Sequence, residues 1–293
     1  MSASRNQNAC AAMKLAGSSP REIAKQREIA ICVWLLRNGF AIELVISILF
    51  GTSKNDYCKR MVERGLLRAT SIPPGWPINR DYYAKDYFTL SDAGLALALQ
   101  YETELSSYPE IDPLKVRSSK FFHSILFQVE TAWRLQKGGI AGYKSERMLP
   151  SGGKGEKIPD GAWLRIKTTD KWHLIEIENH DRKEAEKLGK FTTGILNHLT
   201  DENYEGAGII THTDALIKHY QTAFLANAEY YKEWVEEKKR WYPKQSTKTV
   251  ISKELAKRVT VIKFSSPSDI RAMQRKAVQK RVQEMLPLQA EFE

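Results

Sequence analysis

The first hundred residues carry apolar side chains at helical spacing in three short segments. A first helix is predicted over residues 21–37, where apolar residues are dense, and Gly39 supplies its stop. A second helix is predicted over residues 42–50. Ser53 is placed to cap a third helix that begins at Lys54, because a serine hydroxyl can accept a backbone N–H at a helix start. The pattern therefore predicts a helix, a tight turn and a second helix in succession.

A strand pair is predicted after the three helices. Alternating residues over 66–72 and 82–90 indicate two strands joined by a proline-rich loop, and Ser91 is placed to cap a further helix. This order resembles winged helix-turn-helix domains, predicted here over residues 20–106 after a flexible tail at 1–19. In winged DNA-binding domains the third helix enters the major groove and the hairpin lies along the backbone. A winged fold used for protein contacts is the alternative.

The predicted third helix and hairpin carry a mostly basic set of side chains. Cations there can contact phosphates, whereas only contacts to base edges carry sequence information. Asn55 and Arg60 are the residues expected to affect the choice of site. The candidates for DNA binding are Lys54, Asn55, Lys59, Arg60, Arg64, Arg68 and Arg80.

The remainder of the chain, residues 113–293, alternates between helical and strand patterns. The segment Ser106–Pro113 contains two prolines, which indicate a domain boundary there. The order of elements predicts a mixed α/β core, so the chain is α/β in class and α+β overall. Helices are predicted over 118–136, 182–199, 214–239 and 268–285, and strands over 141–149, 162–166, 172–178, 206–211 and 259–264.

Three carboxylates are predicted to converge on two of these strands. Glu176 and Glu178 lie two apart on one strand, so they share a face, while Ile175 and Ile177 face the core. If the strands pair antiparallel around the turn between them, Asp160 comes close to the glutamates. Asp-Gly after proline is also an ordinary turn signal, and alternate glutamates also occur on solvated strand faces.

Carboxylates this close together repel one another unless a hard divalent cation neutralises them. Oxygen-only ligands favour Mg²⁺ or Mn²⁺ as the cofactor. His123 and Glu130, seven apart on the predicted helix over 118–136, share a face and could point to the same site. A single helical histidine is more often a partly buried residue than a ligand.

The PDG that begins one strand and the EIE that ends the other resemble the PD-(D/E)xK nuclease superfamily, which cleaves phosphodiesters with a bound metal. In that resemblance the lysine expected two residues after Glu176 is replaced by Glu178. The resemblance therefore implies an E-x-E variant, or a lysine supplied by Lys183, Lys187 or Lys190.

More narrowly, the order of winged helix, FFHSILFQVE, PDG, EIE and KLGKF resembles plasmid mobilisation relaxases of the MobC type and the related replication-relaxation proteins. The resemblance covers residues 20–200, and its strength lies in the order and spacing of short motifs. It implies a restriction-endonuclease-like, mixed-sheet second domain. The residues that it assigns to the site are Asp160, Glu176 and Glu178 as metal-binding acids, with Glu130 and His123 as the helical contribution.

Charge and composition fit a nucleic-acid partner. The net charge is +10, and residues 231–293 hold 15 Lys and Arg residues against 8 acidic ones. Such an excess indicates a polyanionic partner or a basic solvated surface. The apolar runs fall short of the ~20 residues that cross a bilayer, so no membrane span is expected. Three widely spaced cysteines fit reduced thiols, and a cytoplasmic location is expected.

The function expected from these patterns is a metal-dependent DNA endonuclease of relaxase type, which nicks one strand at a plasmid origin of transfer. DNA is the expected partner, together with an accessory mobilisation protein and a coupling protein. Either water or a tyrosine is the nucleophile. One alternative is a replication or transcription regulator with an inactive nuclease fold, and another is a restriction or defence endonuclease that cuts both strands.

Overall fold

The computed structural model of the chain is a mixed α/β protein, α+β overall, as the order of sequence patterns predicts. Its described residues are 19–50, 56–76, 84–102, 118–149, 158–166, 171–178, 185–237 and 240–264. They divide into two compact units: the second is Tyr143–Phe264, and the first holds the described residues before Tyr143. Within these ranges no helix is both long and apolar enough to cross a membrane. The predicted helix over 268–285 lies outside the described residues.

The first unit contains helices and a β-hairpin in the predicted order. Its elements are α1 (Pro20–Asn38), α2 (Glu43–Leu49), α3 (Tyr57–Glu63), β1 (Leu67–Ser71), β2 (Asp86–Leu90), α4 (Asp92–Leu99) and α5 (Ser118–Lys137). Ser19 and Glu22 form a capping box at the start of α1, and Gly39 ends the helix with a positive φ of 85°. Ala41 and Phe88 exchange backbone hydrogen bonds, which attach the α1–α2 connection to the hairpin.

The start of α3 differs from the prediction. The helix begins at Tyr57 rather than at Lys54, and the predicted cap Ser53 lies outside the described residues. Glu43 of α2 caps the helix instead: its carboxylate accepts the N–H of Tyr57 at 2.9 Å and that of Cys58 at 3.0 Å. One carboxylate therefore satisfies two of the N–H groups that a helix start leaves without partners, and it links α2 to α3.

The helix α5 belongs to the first compact unit, whereas the predicted boundary near residue 113 assigned it to the second domain. Gln128 is fully buried; it accepts a hydrogen bond from Trp34 Nε1 at 3.0 Å and donates one to the Phe40 carbonyl at 2.9 Å. Phe121 stacks on Phe40 with ring centroids 4.7 Å apart. The apolar periodicity of α5 predicts that one face is buried, but it does not specify which elements cover that face.

The second unit is a sheet with helices and short strands. Its elements are the end of β3 (Ile140–Ser145), β4 (Gly161–Arg165), β5 (Trp172–Glu178), α6 (Ala185–His198), β6 (Tyr204–Thr211), α7 (Asp214–Ala223), β7 (Glu229–Tyr231), β8 (Trp234–Glu237), β9 (Arg240–Pro243), β10 (Lys248–Val250), α8 (Lys253–Lys257) and β11 (Val259–Lys263). The predicted strand over 141–149 ends at Ser145, and a 3₁₀ turn follows at Glu146–Met148.

The main sheet has the strand order β11-β6-β5-β4-β3. Strands β5, β6 and β11 are parallel, and β4 pairs antiparallel with β5. Leu174 and Ile209 on one face of the sheet join Phe191 of α6 and Tyr220 of α7 in a buried apolar cluster. The carboxyl ends of the three parallel strands therefore lie at one edge of the sheet, where side chains from different strands can meet.

The predicted long helix over 214–239 is wrong beyond Ala223, where α7 ends. Asn227 has a positive φ of 68°, a conformation that a helix cannot continue. The chain then forms two antiparallel strand pairs, β7 with β10 and β8 with β9. We call the hairpin of β8 and β9, Trp234–Pro243, the arm. Its glutamates and lysines favour a helix, but its tryptophans and tyrosine favour strands, and here their packing prevails.

The arm packs on α6 through Trp234. The indole Nε1 of Trp234 donates to Thr193 Oγ1 at 2.9 Å, and the ring lies against Gly189. A Cβ at Gly189 would lie 2.7 Å from Trp234 Cζ2, closer than side-chain carbons approach one another. Glycine at this position therefore permits the contact between the arm and α6.

Gly189→Ala should destabilise the protein although alanine favours helices, because the new methyl group displaces Trp234. The expected loss is about 1–3 kcal/mol in the free energy of unfolding, measured by urea denaturation. Glu202→Ala, at an exposed turn of the same unit, is the matched control and should change stability by less than about 0.5 kcal/mol. Equal or greater stability of Gly189→Ala would contradict the proposed packing constraint.

Candidate metal centre and nucleic-acid interface

Asp160 lies where β4 begins, and its carboxylate binds the neighbouring strand. Oδ2 accepts the backbone N–H of Ile177 at 2.7 Å. Gly161 is paired with Ile175, so continuing the antiparallel register by one residue sets Asp160 beside Glu176. The carboxylate of Asp160 thus lies against β5 at the residue between the two candidate glutamates.

Glu176 and Glu178 are both buried, with 2% and 3% of their surface exposed. They share a face with Leu174, which belongs to the cluster under α6 and α7. The glutamates therefore project to the helix-covered face, and Ile175 and Ile177 are buried on the opposite one. A central strand of a mixed sheet is covered on both faces. The prediction that only Ile175 and Ile177 face the core was therefore incomplete, because the glutamate face is buried as well.

Tyr220 is a partner of the site that sequence patterns did not reveal. Its hydroxyl donates to Glu178 Oε2 at 3.1 Å, and its ring is fully buried beside Phe191. In the sequence, Tyr220 is one of the apolar residues that repeat at helical spacing in α7. This spacing does not distinguish a tyrosine ring that only fills the core from one whose hydroxyl binds a carboxylate. Because it is buried, Tyr220 is unsuited to attack DNA directly.

The residue types at the acid edge, by which we mean Asp160, Glu176 and Glu178, fit a hard divalent cation. All three supply oxygen, and burial of charged carboxylates is costly unless a cation or hydrogen bonds compensate it. Across the described part of the chain, no three His, Cys, Asp or Glu side chains are placed to hold a metal ion as they stand. An ion held by all three acids would therefore require at least one of these side chains to adopt another rotamer.

The lysines considered as substitutes for the motif lysine lie on or before α6. Lys190 places its ammonium 3.1 Å from the centre of the Trp241 ring in the arm. Burial there lowers the pKa of Lys190, and Glu236 and Glu186 act in the opposite direction. Lys190 is thus directed to the arm in this structure. Lys187 is exposed in the first turns of α6, and Lys183 lies outside the described residues.

His123 and Glu130 lie on α5, within the first unit. Glu130 is fully buried, and its Oε2 is 3.4 Å from Arg134 Nε one helical turn later. His123 is half-buried on the same helix. The acid edge belongs to the second unit, and the contribution of these two residues to it stays a prediction.

The candidate DNA-binding side chains of α3 and β1 are exposed, and most of them form ion pairs. Arg60 pairs with Asp56, Arg64 with Glu28, and Arg68 with Asp92. Lys59 is exposed on α3. Exposed ion pairs contribute little stability, so a phosphate can replace their carboxylates at low cost. Lys54, Asn55 and Arg80 lie outside the described residues.

Compared with known proteins, the chain matches no model of a protein family, no curated protein and no solved structure.

The Glu43 cap of α3 yields a pH-dependent prediction for the candidate interface. Burial raises the pKa of Glu43, the hydrogen bonds from Cys58 and Tyr57 lower it, and the net shift is upward. A pKa raised by folding contributes stability that is present below the unfolded pKa and is lost as pH rises through the folded pKa. Glu43→Gln removes this titration while keeping one acceptor oxygen.

Wild-type stability relative to Glu43→Gln should therefore increase as pH falls from 7 to below 4.5, measured by urea denaturation at each pH. Taking the difference between the two proteins cancels the other carboxylates. Glu22→Gln is the control. The pKa of the wild-type Glu22 carboxylate is lowered rather than raised, so the stability of the wild type relative to Glu22→Gln should decrease as pH falls. A difference for Glu43→Gln that does not vary with pH would contradict the partly buried cap.

Proposed function

We propose that the protein is a metal-dependent DNA endonuclease that nicks one strand, consistent with a relaxase acting at a plasmid origin of transfer. The observation that carries this proposal is the hydrogen bond from Ile177 N–H to Asp160. It holds one carboxylate at the residue between two buried glutamates on β5. Three acids gathered at one strand in this way are costly for folding alone and useful for binding a cation.

In this proposal Asp160, Glu176 and Glu178 hold Mg²⁺ or Mn²⁺. The ion would polarise a phosphoryl oxygen and lower the pKa of a water that attacks the phosphodiester. Asp160 is oriented by Ile177 N–H, and Glu178 by the hydroxyl of Tyr220. Water is the proposed nucleophile, because the tyrosine beside the acids is buried.

The first unit is proposed to select the DNA as a winged helix. The order of α1, α2, α3, hairpin and α4 supports this proposal, and so does the backbone pairing of Ala41 with Phe88. The exposed cations Lys59, Arg60 and Arg68 lie on α3 and β1, the elements that face DNA in winged domains.

A DNA-binding regulator with an inactive nuclease fold is the second candidate. It is favoured by the hydrogen bonds of Asp160 and Glu178 within the protein, since a carboxylate can be retained to hold two elements together. It is also favoured by the position of Lys190 over Trp241. Activity measurements separate the two candidates.

The wild-type protein should nick supercoiled DNA in Mg²⁺ or Mn²⁺, and Asp160→Asn and Glu176→Gln should each lower the rate by about a hundredfold or more. Asparagine keeps an oxygen that can accept Ile177 N–H, so the substitution removes charge with little loss of packing. Gel electrophoresis of supercoiled, nicked and linear forms gives the rate and the number of strands cut. Glu254→Gln, exposed on α8, is the matched control and should nick normally.

Absence of metal-dependent nicking by pure wild-type protein would favour the regulator. Linear product formed without accumulation of the nicked form would favour a restriction or defence endonuclease instead. Nicking that persists in Asp160→Asn and Glu176→Gln would locate the activity elsewhere.

Lys59→Gln, Arg60→Gln and Arg68→Gln should each weaken DNA binding and reduce its dependence on salt. A substitution that removes one contact with a phosphate should lower the slope of log affinity against log salt by about 0.9. Fluorescence anisotropy with Ca²⁺ in place of Mg²⁺ measures binding without cleavage. Lys25→Gln, exposed on α1, is the matched control. Slopes equal to that of the control would exclude α3 and β1 from the DNA interface.

A further inference from the structure

Three side chains form a row across the parallel strands at the carboxyl edge of the sheet. Glu178 of β5 is in register with Thr211 of β6, and Thr211 is in register with Lys263 of β11. Residues paired directly on neighbouring strands point to the same face. Adjacent strands are about 4.8 Å apart, so the Lys263 backbone lies about 10 Å from that of Glu178. A lysine side chain can reach across most of that distance.

Lys263 is exposed and loosely held. Its side chain is 59% exposed, and Nζ forms an ion pair at 2.8 Å with Asp214 Oδ1 in the first turn of α7. The Asp214 side chain is 85% exposed. Solvent screens such a pair, so a more highly charged anion can displace the aspartate. The contact of Lys263 with α7 also confirms that its side chain lies on the helix-covered face, as those of Glu178 and Thr211 do.

Thr211, between the other two, is fully buried and polar. Its Oγ1 has no hydrogen-bond partner among the described residues. A buried hydroxyl without a hydrogen-bond partner costs free energy. A ligand oxygen that accepts a hydrogen bond from this hydroxyl would recover that cost. Thr211 is paired with Lys263 on β11, and it precedes Asp214, the first residue of α7, by three positions. It therefore adjoins both partners of the Lys263–Asp214 ion pair.

We propose that Lys263 and Thr211 form a phosphate-binding site beside the acid edge, and that its ligand is a phosphate of the DNA strand. This proposal rests on the proposed nuclease function and deepens it. Lys263 exchanges Asp214 for the phosphate, and Thr211 donates a hydrogen bond to one of its oxygens. Lys263 thus brings a cation to the face of the sheet that carries Glu178, from β11 at the opposite end of the row.

Substituting either Lys263 or Asp214 breaks their ion pair, but the two substitutions should have opposite effects on the binding of a phosphate. This difference provides the test. We measure binding of a short DNA duplex to the full chain by anisotropy in Ca²⁺. Lys263→Gln should weaken binding about fivefold and lower the salt slope by about one. Asp214→Asn should strengthen binding, since a competing carboxylate is removed. Lys263→Arg should restore most of the affinity.

Lys257→Gln and Glu254→Gln are the matched controls. They remove the same charges at exposed positions of α8, which precedes β11, whereas Lys263 lies at the far end of that strand. Their effects measure the general electrostatic contribution and should be smaller than those of Lys263→Gln and Asp214→Asn. Thermal unfolding checks that every variant is folded.

Weaker binding of both Lys263→Gln and Asp214→Asn would show that the ion pair is only structural, and effects equal to those of the controls would show only general electrostatics. Either result overturns the proposal. The binding measurements need no cleavage. They therefore test the contact of Lys263 with phosphate even if the wild-type protein fails to nick and the proposed nuclease function is wrong.

In an active enzyme, Lys263→Gln should also lower kcat at saturating DNA by about a hundredfold, and an unchanged kcat would overturn the role of Lys263 beside the acids.

Discussion

Burial of two glutamates on the central strand of a sheet is the constraint on which the functional account depends. Glu176 and Glu178 are enclosed on the face that α6 and α7 cover, where a charged carboxylate loses most of its hydration. Their neighbourhood supplies polar partners in return. Tyr220 donates to Glu178, and Asp160 is held at the same strand by the N–H of Ile177. An arrangement that is expensive for folding alone is typical of a functional site.

The parts of this arrangement that follow from local pattern could be predicted from the sequence. The alternation of residues over Trp172–Glu178 predicts β5 with its observed bounds and places both glutamates on one face. Ser91 caps α4 as predicted, because a serine side chain at a helix start acts on its own first turn. The antiparallel pairing of β4 with β5 is the one expected for two strands that are close together in sequence. Each of these features depends on residues close together in the chain.

Features that depend on distant residues could not be predicted. Residues 229–239 contain helix-forming glutamates and lysines, but Trp234 fits against Gly189 of α6, and this contact stabilises the arm as a hairpin. The helix α5 has a recognisable buried face, yet only the structure shows that Gln128 bonds to Trp34 in the first unit. The row of Glu178, Thr211 and Lys263 likewise depends on strand order, which residues far apart in sequence determine together.

Asp160, Glu176 and Glu178 are proposed to hold one divalent cation. Anomalous diffraction at the manganese absorption edge, from crystals soaked in Mn²⁺, tests this proposal most directly, because the signal locates the ion without reference to activity. We expect a manganese peak within about 2.0–2.3 Å of carboxylate oxygens of these residues, and its loss in crystals of Asp160→Asn. A peak bound elsewhere, or no peak at Mn²⁺ concentrations that support nicking, would contradict a cation site at these three acids.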